Sequence, residues 1–162
     1  WVTGSHLETR FGMTIRAIRD AGFPVDAELP LHLQTDSAHD TTQALALATA
    51  GFGELFAANP PDLLLVLGDR YEIFAAVQAA LLARVPVAHI AGGDISEGAY
   101  DDSMRHAISK LSHIHFVTNA DAQARLIQMG EQPQHVVLLK YIYITIVLNL
   151  GCPVKHAKSL IK

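Results

Sequence analysis

An unbroken apolar run at residues 63–67, Leu-Leu-Leu-Val-Leu, stops at Gly68-Asp69-Arg70, and an Ala-rich helical pattern follows over 71–83. Residues 86–90 repeat the run and end at Ala91-Gly92-Gly93-Asp94. Two such units in succession constrain the fold more than any other feature. Continuous apolar runs suit strands covered on both faces, and a strand returning parallel to its neighbour needs a crossover of helix length.

The same alternation runs through most of the chain. A strand end at 1–3 leads through a Gly4-Ser5-His6 turn to a helix over 9–21, which Gly22 and Pro24 stop. A short strand at 25–29 and a helix at 41–58, closed by Asn59-Pro60-Pro61, come next. After the two clear units, a helix at 101–111, a strand at 114–117 and a helix at 120–129 complete the regular part. This order predicts an α/β fold with a Rossmann-like, doubly wound parallel sheet.

Composition narrows the partners. The chain has 162 residues, 50% hydrophobic and 17% charged, enough to bury the core of one domain. A net charge of -4, without a run of Lys and Arg, leaves no footprint for nucleic acid. Cys152 is alone, which excludes an intramolecular disulfide and fits a reducing cytoplasm. The most apolar stretch, 136–150, is broken by Lys140 and Asn149 and falls short of the ~20 residues a spanning helix needs, so no membrane segment is expected. There is no initiator Met and no signal-peptide pattern, and the N-terminus reads as cut.

In open α/β sheets ligands bind beyond the carboxyl ends of the strands, so Asp69 and Asp94 are the first residues to weigh. Two carboxylates converging on one crevice suit acid and base work; capping of the turns that follow explains them equally well. Asp101 and Asp102 open a helix whose dipole favours acids. Spacing of four pairs Asp101 with Arg105 and Asp102 with His106 on its surface, and Met104, Ile108 and Leu111 form its buried face. Asp102, His106, Lys110 and His113 make a polar stripe, read either as a solvated face or as a wall for phosphate. His113 and His115 alternate onto one face of a strand, but no acid or Cys stands at ligand spacing, so no metal is expected.

Taken together, VTGSH at 2–6, RFG at 10–12, LVLGDRYE at 65–72 and HIAGGDISEGAYDDSMRHAISKLSHIHF at 89–116 resemble the UDP-N-acetylglucosamine 2-epimerase family. The similarity covers 1–137 and favours the hydrolysing branch of sialic or legionaminic acid pathways. It implies one half of a GT-B-type enzyme, two Rossmann-like domains with the active site between them, no cofactor, and a homodimer. The implied reaction eliminates UDP from UDP-N-acetylglucosamine and adds water to the 2-acetamidoglucal, giving N-acetylmannosamine. Asp69 and Asp101 match catalytic acids of the family by motif position. Arg105 matches a ligand-holding residue, and Arg70, Glu72, Gly92, Gly93, Asp102, His106 and Lys110 are candidate substrate-binding neighbours.

Three departures accompany the resemblance. Ala91 stands where many members carry a catalytic Glu, so that Asp94 serves instead or the step is impaired. The family's first strand and its phosphate loop would precede Trp1. From Leu138 onward the chain lacks any carboxylate, and the expected hinge and second, UDP-binding domain do not follow. Residues 138–162 therefore read as a foreign tail on a truncated chain that is weak or inactive alone, with a last strand plus an amphipathic ending as the plainer reading. A non-hydrolysing epimerase and a non-catalytic nucleotide-sugar-binding module are the alternative functions.

Overall fold

The computed structural model describes residues 1–32, 35, 37–96 and 100–139. Its regular elements are β1 Val2–Thr3, α1 Ile15–Asp20, β2 Glu28–Leu29, α2 Ala38–Ala58, β3 Leu64–Leu67, α3 Tyr71–Ala83, β4 Val87–Ile90, α4 Asp101–Lys110, β5 Ile114–Val117, α5 Ala120–Gln128 and β6 Val136–Leu138. The expected α/β, Rossmann-like class is what the chain adopts. β1 pairs in parallel with β2, and β3-β4-β5-β6 form a parallel sheet in sequential order.

The register sets Val66, His89, His115 and Val136 side by side across the four strands, and all four are buried. Helices cover this face. Ala75 and Ala79 of α3 and Ile108 of α4 pack with Val66 and Val87, while Ala122 and Leu126 of α5 pack with Val117 and Val136. Each crossover steps one strand in the same direction, and right-handed connections then put α3, α4 and α5 on one side. The other face differs from the expectation for residues 63–67. Leu65 and Leu67 point there, and Leu67 is 62% exposed, so β3 is covered on one face only among the described residues.

α2 lies along α3, with Ala44 and Ala48 of one and Ala76 and Ala80 of the other buried in a common core. Such small side chains let two helix backbones come close, and aromatic rings seal the end of the contact. Phe56 is almost fully buried, its ring 5.1 Å from that of Trp1 and 6.1 Å from that of Phe52. Burial on this scale is worth roughly 1.5–3 kcal/mol for each large apolar side chain.

Local chemistry moves several boundaries. α2 starts at Ala38 rather than at 41, because the Ser37 hydroxyl accepts from the Asp40 amide at 3.1 Å and caps the helix. Asp40 in turn accepts from the Thr35 amide and hydroxyl at 3.0 and 2.5 Å. The helix expected over 9–21 is broken: a 3-10 turn at Thr9–Phe11 ends at Gly12, and Gly12 and Met13 both take positive φ before α1 begins. The strand expected at 25–29 contracts to Glu28–Leu29. The tail reading for 138–162 falls outside the described residues from 140 onward.

Candidate functional site

The carboxyl ends of β3, β4 and β5 meet along one edge of the sheet. There the Arg105 guanidinium, projected from the first half of α4, is the organising group; its side chain is 8% exposed. Nη1 donates to the Asp94 carbonyl at 2.8 Å and to Asp102 Oδ1 at 2.9 Å. Nη2 donates to Asp69 Oδ2 and, at 2.8 Å, to Ser96 Oγ. All four Nη hydrogens thus have protein acceptors. Burial lowers the pKa of Arg105.

The partnerships differ from those that helix spacing predicts. Arg105 pairs with Asp102 three residues back and with Asp69 from the β3 end, rather than with Asp101. Asp102 also accepts from the Ser96 amide at 2.7 Å, so it ties the loop after β4 to α4 instead of pairing with His106. Neither acid is the cap, a position that Tyr100 occupies. Asp101, in the first turn, is half-buried and has no partner among the described residues.

Asp94 and Asp69 share Arg105 without converging. The Asp94 carboxylate accepts from Thr118 Oγ1 at 2.9 and 3.1 Å and from Asn119 Nδ2 at 2.9 Å, which turns it toward the β5–α5 junction. Asn119 caps α5 through its Oδ1, 2.8 Å from the Ala122 amide. Arg125 of α5 donates to the Gly93 carbonyl. A polar cleft of about 480 Å³ opens here, lined by Asp94, Ser96, Arg105, Asn119, Asp121 and Arg125. A comparable groove of about 420 Å³ between α2 and α3 is apolar and holds no chemistry of this kind.

Other candidates lie further off or serve packing. Arg70 makes a two-pronged contact with Glu72, at 3.1 Å from Nε and 2.9 Å from Nη2, and Glu72 is buried. Gly93 has φ +78, and a Cβ there would stand 2.5 Å from the Ala122 carbonyl oxygen. At Gly92 a Cβ would meet Ser109 Oγ at 2.8 Å and His89 Nδ1 at 2.9 Å. The glycine pair therefore lets α4 and α5 close on the end of β4. Lys110 does not join the wall. It sits eight residues beyond Asp102, roughly 12 Å along the helix axis, and binds Glu131 Oε1 at 2.5 Å and the Met129 carbonyl at 3.2 Å. His106 is half-buried, its Nδ1 without a partner among the described residues, and His113 Nδ1 accepts from the Val87 amide at 3.3 Å. Among the described residues no group of three His, Cys, Asp or Glu is placed to hold a metal. Nor is any described helix long and apolar enough to cross a membrane.

Sequence reasoning passed over Thr118, Asn119 and Arg125. Thr118 and Asn119 follow a strand end, so the rule that found Asp69 would have reached them. The family model described as UDP-N-acetylglucosamine 2-epimerase matches residues 1–148. The chain belongs to that family.

Relatives agree with the match. The chain is 36% identical over 149 residues to the Campylobacter jejuni GDP/UDP-N,N'-diacetylbacillosamine 2-epimerase (hydrolyzing), covering 92% of this chain and 38% of the relative. It is 40% identical over 135 residues to the Legionella pneumophila UDP-N,N'-diacetylbacillosamine 2-epimerase (hydrolyzing), covering 83% and 36%. The chain therefore spans well under half the length of either relative. The fold is shared with the Neisseria meningitidis UDP-GlcNAc 2-epimerase solved bound to UDP-GlcNAc, at a TM-score of 0.73 and 20% identity, covering 96% of this chain and 43% of that one.

Proposed function

We propose that this epimerase-family chain carries the catalytic half-domain, residues 1–137, of a hydrolysing UDP-sugar 2-epimerase, acting on UDP-N-acetylglucosamine or UDP-N,N'-diacetylbacillosamine. One observation carries the reading: Asp69, at the carboxyl end of β3, is held through Oδ2 by the buried Arg105, and Oδ1 has no partner among the described residues. A fixed carboxylate with an open oxygen at the mouth of a parallel sheet is what removal of a sugar C2 proton requires. Asp101, with no partner among the described residues, is the second carboxylate of the proposal. Asp94 is the third, although its hydrogen bonds to Thr118 and Asn119 favour a role in holding two crossovers together. Arg70, Glu72, Asp102, Arg105 and His106 complete the proposed substrate wall, Gly92 and Gly93 shape it by letting α4 and α5 close on the end of β4, and Lys110, bound to Glu131, stands outside it.

The proposal includes a cytoplasmic setting, in keeping with the lone Cys152, and a homodimer, which the resemblance implies. The decisive assay incubates an intact parent enzyme carrying this half-domain with each UDP-sugar and follows free UDP and free sugar. Free UDP together with a 2-epimerised free sugar supports the hydrolysing reading, whereas a UDP-linked epimer points to the non-hydrolysing alternative. Binding without turnover supports the non-catalytic module, for which Ala91, lacking a carboxylate, is the favouring observation. Asp69→Asn should lower UDP release by about 100-fold or more, the scale of a lost acid or base, and leave the folded structure intact by circular dichroism.

A further inference from the structure

We propose that His89 is a positioning residue: from the buried face of β4 it fixes the Gly68 carbonyl, and through it the turn that presents Asp69. The ring is fully buried in the central part of the sheet, a place where an apolar side chain would cost less. Both its nitrogens are in use. Nε2 lies 2.8 Å from the Gly68 carbonyl oxygen and Nδ1 lies 3.1 Å from Ser109 Oγ.

These contacts determine the tautomer. A carbonyl oxygen only accepts, so Nε2 carries the hydrogen and Nδ1 accepts from the Ser109 hydroxyl. Burial pushes the imidazole pKa down to about 4, which keeps the ring neutral at pH 7 with one donor and one acceptor. Strand β4 holds Gly68 by its other backbone group as well, since the Gly68 amide donates to the Ile90 carbonyl at 3.1 Å. Gly68, the residue before Asp69, is thus held through both its backbone groups by successive residues of β4. Gly92 completes the arrangement by leaving no side chain between Ser109 and the ring.

His89 reaches no crevice, so its effect on turnover would run through Asp69. The inference rests on the epimerase reading for its kinetic arm alone. A glutamine places its amide nitrogen near the position of Nε2, and an asparagine places its own near Nδ1. His89→Gln, combined with Ser109→Ala so that no hydroxyl is orphaned, should keep UDP release within about threefold of wild type. His89→Asn should lower kcat about 100-fold with KM little changed, the cost expected of a reacting group misplaced by ~1 Å.

Two NMR measurements use the chain irrespective of turnover. Long-range ¹H–¹⁵N spectra should show the Nε2–H tautomer of His89. The Asp69 ¹³Cγ resonance should shift in His89→Asn and stay in place in the glutamine double variant. An intact parent enzyme that releases no UDP would remove the functional reading, and the NMR results on this chain would still decide this one. An Nδ1–H tautomer, an unmoved Asp69 resonance in both variants, or equal loss of turnover in both would overturn it. If His89→Asn does not fold, the wild-type tautomer and the double variant carry the test.

Discussion

Arg105→Met unfolds at markedly lower urea than the wild type, with a loss of about 3–5 kcal/mol, the range for removing one partner of a buried ion pair. Methionine keeps most of the side-chain volume, so cavity formation adds little. The loss comes from what remains behind. Asp69 and Asp102, only 19% and 27% exposed at their side chains, lose their shared cation, and the Asp94 carbonyl and Ser96 hydroxyl lose a donor. Domains of this size are stable by roughly 5–15 kcal/mol, so the change consumes a large share of the total. Arg105→Lys restores the charge but offers three donors to four acceptors, and its midpoint should fall between the two. Adding Asp69→Asn and Asp102→Asn to Arg105→Met should recover part of the loss, because the orphaned charges go with it.

Acid should weaken the fold through the buried His89. His89 has an ordinary value of 6.5 that burial lowers to about 4 in the folded state. Between those values the unfolded chain binds a proton that the folded chain excludes. Stability is therefore full above pH 6.5 and is lost as pH falls toward 4, by an amount on the order of 3 kcal/mol for this one group. His115, in register with His89 and equally buried, is lowered by burial too, and Glu131, 3.2 Å from its Nε2, opposes that shift. Urea midpoints at pH 7 and pH 5 measure the effect. The His89→Gln, Ser109→Ala variant should lose less stability across that interval than the wild type.

How much of this was legible follows from how local each cause is. The run at 63–67 and its repeat at 86–90 announce β3 and β4 directly, and with them the Gly68-Asp69 and Gly92-Gly93 turns. Two-residue β2 and the broken segment over 9–21 were not legible, because left-handed backbone at Gly12 and Met13 overrides an otherwise helical pattern. In the site, Asp69, Asp102 and Arg105 could be named from strand ends and helix position. Their pairing could not. Spacing along α4 suggests Asp101 with Arg105, whereas the guanidinium is drawn to Asp69, 36 residues away in sequence. Lys110 likewise belongs to Glu131, 21 residues on, a contact that no surface stripe predicts. The burial of His89 and its hold on Gly68 depend on three segments meeting, so the sequence shows only a His in a strand.

The most direct test of the account is the reaction run in deuterium oxide on UDP-N-acetylglucosamine and UDP-N,N'-diacetylbacillosamine, with the sugar product analysed by mass spectrometry and NMR. Removal of the C2 proton, loss of UDP and re-addition from solvent predict a free sugar carrying one deuterium at C2, inverted at that carbon, with UDP released in equal amount. A free sugar with its original C2 hydrogen, or UDP released without inversion, would contradict it.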